Sequence, residues 1–154
     1  MDDIKNEIIN YLSKRKFLTL ATSTQNGEPL THPVAYVNKE QNIYFSTDEK
    51  TRKVKNIEKN PNVAYSVYDD TEHLDELKLV QIEGKASILS DKKEQEEVIQ
   101  MLNKKFPFMV KIPMDSNSII IKITPKTCFF SDYTKRFGYK DKIEYWELLG
   151  IALI

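Results

Sequence analysis

Short segments that alternate apolar and polar residues, separated by turn-forming residues, run through most of this chain. Residues 17–23 alternate in this way, and Asn26-Gly27 follows them directly. Asn-Gly is a strong hairpin signal because both residues accept positive φ. A returning strand is predicted over 30–37. Pro33 lies inside it and cannot donate a ladder hydrogen bond, so we expect an edge, a bulge or a bend there.

The rest of the chain continues the pattern of strands with short connections. After a turn over 38–41, further strands are predicted over 42–47, 62–68, 77–89, 118–124 and 127–132, the last two on either side of Pro125. Three helices are predicted: one ending near residue 16, one from 48 or 51 to 60, and one that begins after Asp91 with capping-box spacing. Six or seven strands with mostly antiparallel connections predict an α+β fold built on an antiparallel barrel.

Composition narrows the possible functions. The chain has 154 residues, a formal net charge of zero and only four glycines, no two of them closer than twelve positions. These counts argue against a dedicated nucleic-acid binder and exclude the glycine-rich dinucleotide and phosphate loops. We expect one domain over 1–154, with a helix over 1–16, a barrel core over 17–132 and an extension over 133–154.

Cellular location and metal binding are also constrained. Cys128 is the single cysteine, so no disulfide forms within the chain, which is typical of a cytoplasmic protein. No stretch has the length and apolar character of a signal peptide or a membrane helix, so we expect no membrane partner. His32 and His73 are the two histidines, which are too few for a Cys/His zinc site, and no metal site is predicted.

The sharpest local feature is a cationic helix start. Thr47 ends a predicted strand, and Thr51, Arg52 and Lys53 open the helix that follows. Cations in a first turn face the positive end of the helix dipole, which costs a few tenths of a kcal/mol per charge. A bound phosphate would reverse that sign, because helix N-termini and cationic side chains both favour dianions. The alternative is a basic helix start that is simply solvated. His32 on the neighbouring strand is likewise either part of a functional site or an ordinary hydrogen-bonding surface residue.

Aromatic and apolar residues dominate the end of the chain. The aromatic cluster suits stacking on a planar heterocycle, a subunit interface or plain core packing; it comprises Phe129, Phe130, Tyr133, Phe137, Tyr139, Tyr145 and Trp146. The apolar run over 148–154 would be an aggregation hazard if exposed. We expect it to dock on a partner subunit or on its own barrel.

The order of several motifs resembles the pyridoxamine 5′-phosphate oxidase-like superfamily. The resemblance covers about residues 17–132. It rests on segments 18–22 (Leu-Thr-Leu-Ala-Thr), 26–29 (Asn-Gly-Glu-Pro), 32–36 (His-Pro-Val-Ala-Tyr), 43–47 (Ile-Tyr-Phe-Ser-Thr), 51–57 (Thr-Arg-Lys-Val-Lys-Asn-Ile), 60–64 (Asn-Pro-Asn-Val-Ala), 83–86 (Glu-Gly-Lys-Ala) and 123–125 (Ile-Thr-Pro). It implies an antiparallel split β-barrel that binds FMN, usually as a homodimer with the flavins at the interface.

The resemblance also implies which residues bind the cofactor. His32, Pro33, Val34 and Ala35 would follow the isoalloxazine ring with backbone contacts. Ser46 and Thr47 would lie near the ribityl chain and the phosphate. The phosphate would be held by Thr51, Arg52 and Lys53, in agreement with the cationic helix start.

Three departures from true pyridoxamine phosphate oxidases argue against vitamin B6 oxidation. Val37 stands where those enzymes have a substrate-binding lysine, and Ser131 stands where they have a tryptophan. Their C-terminal arginine and histidine pair has no counterpart after Phe137. The chain looks closer to small flavin proteins grouped with general stress proteins and nitroimidazole-resistance reductases.

The sequence therefore predicts an FMN-dependent oxidoreductase that passes electrons from a reduced nicotinamide, NADH or NADPH, or a similar donor to a small acceptor. No individual catalytic residue is predicted, because the flavin carries the chemistry. A flavin carrier or sensor without turnover is the alternative. Haem binding, as in some split-barrel relatives, is a third.

Overall fold

The computed structural model describes residues 2–145, which form three α-helices and eight β-strands. The helices are α1 (Asp2–Ser13), α2 (Arg52–Lys59) and α3 (Lys92–Lys105). The strands are β1 (Phe17–Ser23), β2 (Pro29–Ala35), β3 (Val37–Lys39), β4 (Asn42–Asp48), β5 (Asn62–Tyr68), β6 (Lys78–Ile88), β7 (Ser118–Asp132) and β8 (Lys140–Glu144). Two short 3₁₀ turns lie at Leu74–Glu76 and Pro107–Lys111.

The strands form one antiparallel sheet that curls into a barrel. Their order is β2-β1-β5-β6-β7-β4-β3, and β8 pairs with β7. β2 and β3 lie at opposite ends of this order, although only Tyr36 separates them in the chain. The sheet must therefore curve until its two ends meet near Tyr36, whose side chain is fully buried. The predicted α+β split barrel with three flanking helices is confirmed.

Two apolar clusters follow from the alternation of side chains along the strands. In β4, Ile43 and Phe45 face the barrel interior, whereas Tyr44 belongs to a second cluster on the outer face. α1 closes the interior with Ile8 and Leu12. α3 covers the outer cluster, and its N-cap Asp91 accepts a hydrogen bond from the backbone N–H of Glu94, as its capping-box spacing predicts.

β7 is one strand of fifteen residues rather than the two strands predicted around Pro125. The register between β6 and β7 shifts at Glu83/Gly84, and Pro125 lies opposite Gly84. A bulge tolerates a residue without an N–H, so the strand continues through the proline. A Cβ atom at Gly84 would lie 2.5 Å from the backbone oxygen of Thr124, so only glycine allows this approach.

Strand boundaries differ from the prediction at two places. The strand predicted over 30–37 is divided at Tyr36, and β3 includes Asn38 and Lys39 of the predicted turn. Pro33 does lie on an edge strand, because β2 pairs with β1 alone among the described strands.

β8 was not predicted. Only Ile143 of its five residues is buried, so charged neighbours conceal its alternation. Trp146 of the aromatic cluster and the apolar run over 148–154 lie outside the described residues. No helix between residues 2 and 145 has the length and apolar character needed to span a bilayer.

Candidate functional site

The start of α2 is cationic and lacks the groups that usually neutralise a helix N-terminus. Thr51 occupies the N-cap position but makes no capping hydrogen bond, since its hydroxyl donates to the carbonyl oxygen of Asp48 at 2.9 Å. The first turn contains no acidic residue, and it begins with Arg52 and Lys53. The first N–H groups of a helix have no partner within the helix. Free backbone donors and two cations therefore meet at one point.

Side-chain positions around this helix start suit an anion. The hydroxyl oxygens of Thr47, at the end of β4, and Thr51 lie 3.5 Å apart. Arg52 is exposed, whereas Lys53 is partly buried and its pKa is lowered by that burial. Desolvation lowers the pKa of a lysine when no anion compensates its charge. A dianion bound beside Lys53 would supply that compensation.

His32 is joined to α2 by a partly buried hydrogen-bond network. Its Nε2 lies 2.9 Å from the hydroxyl oxygen of Thr22 on β1. The side-chain amide of Asn56 on α2 donates to the same oxygen at 3.0 Å. The pKa of His32 is lowered by burial first, then by the positive charges of Lys53 and Arg52. The structure thus brings the predicted ring-binding strand and the predicted phosphate-binding residues together.

The other predicted residues of β2 present mainly backbone to a ligand. Pro33 is exposed, Ala35 is partly buried, and Val34 points into the core with 8% of its surface exposed. Since β2 has no second strand partner among the described residues, its outer backbone groups are open to a ligand or to another chain.

Ser46 and Thr47 point to opposite faces of β4, so one ligand group cannot contact both side chains. The Ser46 hydroxyl donates to the sulfur of Met114 at 3.5 Å and lines a cavity of about 280 Å³. This cavity lies between β4, α3 and the segment after α3, and its apolar lining includes Leu102 and Met109. The structure therefore gathers Thr47, Thr51, Arg52, Lys53 and His32 and turns the side chain of Ser46 away from them.

Thr22 and Asn56 were not predicted as site residues. Thr22 is 2% exposed and lies on the inward face of β1 with Leu18 and Leu20. A polar residue at a position where the strand's alternation calls for an apolar one is the sequence signal that could have identified it. Asn56 follows Arg52 by four residues and therefore lies on the same face of α2.

The described part of the chain supports neither a metal site nor a cysteine nucleophile. No group of three or more histidine, cysteine, aspartate or glutamate side chains between residues 2 and 145 is arranged to hold a metal ion. Cys128 is fully buried, and burial raises the pKa of its thiol to about 12, which makes it a poor nucleophile.

Comparison with family models matches residues 4–132 to the pyridoxamine 5′-phosphate oxidase model. The chain belongs to the pyridoxamine 5′-phosphate oxidase family. The predicted resemblance is thereby confirmed. Proteins of this family bind small molecules such as flavin or haem.

Solved structures with this fold include proteins with different described roles. General Stress Protein 26 from Bacillus anthracis superimposes with a TM-score of 0.68 and 22% identity, over 92% of this chain and 98% of that one. HutZ from Vibrio cholerae, described as a haem storage protein, has a TM-score of 0.68 and 21% identity, over 79% of this chain and 89% of that one. A haem-binding protein from Mycobacterium smegmatis has a TM-score of 0.75 and 14% identity, over 91% of this chain and 56% of that one. At such identities these similarities show the fold alone, and no curated protein matches the sequence.

Proposed function

We propose that this member of the pyridoxamine 5′-phosphate oxidase family binds FMN, with the phosphate at the start of α2 and the ring system along β2. The observation that carries the proposal is the first turn of α2, which begins with Arg52 and Lys53, contains no acidic residue and receives no hydrogen bond from a capping side chain. Such a turn is unfavourable when empty and favourable beside a phosphate dianion. The scarcity of glycine is consistent with a phosphate site made from side chains and a helix start.

Different residues would contact the phosphate, the ring system and the ribityl chain of FMN. Arg52 and Lys53 would neutralise the phosphate, and the hydroxyls of Thr47 and Thr51 would donate to its oxygens. His32 to Ala35 would follow the ring system, mainly through backbone groups at the open edge of β2. Ser46 would approach the ribityl chain through its backbone, because its side chain faces the cavity beside Met114.

We further propose that the protein is an FMN-dependent oxidoreductase that accepts electrons from NADH or NADPH. Bound FMN would supply the redox chemistry, and the protein's contribution is binding and orientation. A flavin carrier or sensor without turnover uses the same binding residues and is the alternative. Vitamin B6 oxidation is not proposed, because Val37 and Ser131 occupy positions where the B6-oxidising enzymes carry lysine and tryptophan.

A homodimer is proposed as the assembled form. Two features support it: the outer edge of β2, which pairs with no further strand among residues 2–145, and the exposed apolar side chains after α3. Phe108, Val110 and Ile112 are 69%, 67% and 55% exposed, which favours an interaction surface. Light scattering during size exclusion is expected to give twice the chain mass, and a monomer that retains flavin would refute a shared flavin site.

Haem is the second candidate ligand, because two similar structures are described as haem-storage and haem-binding proteins. The cations of α2 could also bind haem carboxylates. The arrangement of histidines favours FMN, since the Nε2 atom of His32 already shares a hydrogen bond with Thr22, and His73 lies exposed on the connection between β5 and β6.

One set of spectra tests these proposals. The purified protein is titrated separately with FMN and with haemin, and the flavin complex is then mixed anaerobically with NADH and with NADPH. We expect saturable FMN binding and bleaching of the flavin bands by one of the nicotinamides. A Soret band with haemin and no binding of FMN would refute the flavin proposal. Binding without bleaching by either nicotinamide would identify a carrier or sensor.

A further inference from the structure

The network of His32, Thr22 and Asn56 connects three elements at the proposed flavin site. His32 lies on β2, Thr22 on β1 and Asn56 on α2. Thr22 is 2% exposed, and its hydroxyl oxygen receives both contacts, at 2.9 Å and 3.0 Å. Within residues 2–145, Thr22 has no third side-chain partner. Each proton in this network must therefore be assigned among these three groups.

With the Asn56 amide nitrogen directed at Thr22, the donors and acceptors of the network leave one complete assignment. The Asn56 amide nitrogen donates to the Thr22 oxygen, which uses one of that oxygen's acceptor positions. If His32 Nε2 also donated, the Thr22 hydroxyl proton would be buried without an acceptor, which is unfavourable. If the Thr22 hydroxyl instead donates to an unprotonated Nε2, every group is satisfied. His32 is then a neutral ring that carries its proton on Nδ1.

We propose that Thr22 and Asn56 are positioning residues that hold His32 in its Nδ1–H form, so that the ring offers one neutral N–H donor to a ligand along β2. This inference rests on the proposed flavin site for the identity of that ligand. Among the described residues, no group forms a hydrogen bond to His32 Nδ1, so this donor is free for a ligand. A neutral donor suits the polar edge of an isoalloxazine, which carries carbonyl and ring-nitrogen acceptors.

The charges around His32 agree with a neutral ring. Lys53 and Arg52 on α2 both lower its pKa, in addition to the effect of burial. The opposing hydroxyl of Thr22 and the amide of Asn56 carry no charge. Among residues 2–145, no carboxylate raises the pKa of this ring, so the hydrogen-bond assignment and the electrostatics favour the same neutral state.

The tautomer is measured directly by long-range ¹⁵N–¹H NMR of the ligand-free protein at neutral pH. Only His32 and His73 contribute signals, and the His73→Gln variant assigns them. We expect Nε2 of His32 to show the shift of an unprotonated acceptor and Nδ1 that of a protonated nitrogen. A wild-type His32 protonated on Nε2, or on both nitrogens, would overturn the proposal.

Two substitutions with opposite expected effects separate positioning from a merely structural role. Asn56→Asp replaces a donor by a carboxylate, which accepts the Thr22 hydroxyl proton. Thr22 must then accept from Nε2–H, so the tautomer of His32 should invert. Thr22→Val removes the partner and should leave a mixture of tautomers, whereas Thr22→Ser should keep the wild-type form. Identical tautomer ratios in all four proteins would refute the assignment.

Binding measured by flavin fluorescence tests the effect on a ligand. We expect Thr22→Val to weaken FMN and riboflavin equally, by roughly three- to tenfold, because both flavins carry the ring system. Asn56→Asp should weaken riboflavin to the same extent and FMN further, because its new carboxylate lies on the face of α2 proposed to hold the phosphate. Thr22→Ser should bind both flavins as the wild type does. Unchanged affinities in Thr22→Val would overturn the ligand-directed role. If neither flavin binds the wild type, the proposed function fails, and the NMR result still decides the tautomer.

Discussion

Replacing the two cations at the start of α2 with glutamine is expected to stabilise the ligand-free protein and to weaken FMN binding. Arg52 and Lys53 face the positive end of the helix dipole, and each such contact costs about 0.3–1 kcal/mol. Glutamine has nearly the same helix propensity, so the change removes charge with little other effect. We therefore expect the Arg52→Gln/Lys53→Gln protein to gain about 1 kcal/mol, which raises Tm by roughly 2–4 °C.

The same double substitution should reduce FMN affinity at least about 100-fold. A hydrogen bond to a charged group contributes about 1.5–3 kcal/mol to binding. The double variant loses two such bonds, one from Arg52 and one from Lys53 to the phosphate. Riboflavin lacks the phosphate, so its affinity should stay unchanged. Calorimetry measures the unfolding, and fluorescence titration measures both flavins.

Lys59 on the same helix provides a matched control. It is exposed in the last turn, where a cation is favourable. Lys59→Gln should therefore lower Tm slightly and leave FMN binding intact. The reasoning is refuted if the double variant is less stable without ligand, or if it binds FMN as tightly as the wild type.

Three further substitutions test how the barrel is held together. Gly84→Ala should lower the urea midpoint by the equivalent of about 1–3 kcal/mol, because its Cβ meets the Thr124 oxygen at 2.5 Å; an unchanged midpoint contradicts this close approach. Tyr36→Phe removes a buried donor to the Leu12 oxygen at 2.5 Å and should cost about 1 kcal/mol in the same assay, whereas no loss would mean that the bond contributes nothing. Burial lowers the pKa of Lys105 from 10.5 to about 8. Between pH 8 and pH 10.5 the unfolded chain therefore binds more protons than the folded one, so the free energy of unfolding rises with pH in this range. Lys105→Met should remove about 1–2 kcal/mol of that rise, after allowance for solvent screening. If the variant and the wild type show the same dependence of stability on pH, the rise does not come from Lys105.

The fold was largely predictable because its signals are local. Alternation along each strand and the Asn26-Gly27 turn depend on neighbouring residues, and both predict antiparallel pairing. The continuous β7 was not predictable, since the bulge opposite Gly84 depends on pairing between distant strands. β8 escaped prediction because a single buried residue, Ile143, leaves too little alternation to detect.

The candidate site was predictable where its residues are close in sequence. Thr51, Arg52 and Lys53 follow one another, so the charge of the helix start is visible without a structure. The opposite directions of Ser46 and Thr47 follow from the two-residue period of a strand and could have been predicted. The contact between Thr22 and Asn56 joins residues 34 positions apart, and only the folded chain shows it.

The relative affinity of the wild-type protein for FMN and riboflavin tests the central claim most directly. The two ligands share the ring system and differ in the phosphate that the start of α2 is proposed to hold. We expect FMN to bind at least about 100-fold more tightly in a fluorescence titration at low ionic strength, with the difference shrinking as salt is added. Equal affinities for the two flavins, or no binding of either, would contradict the account.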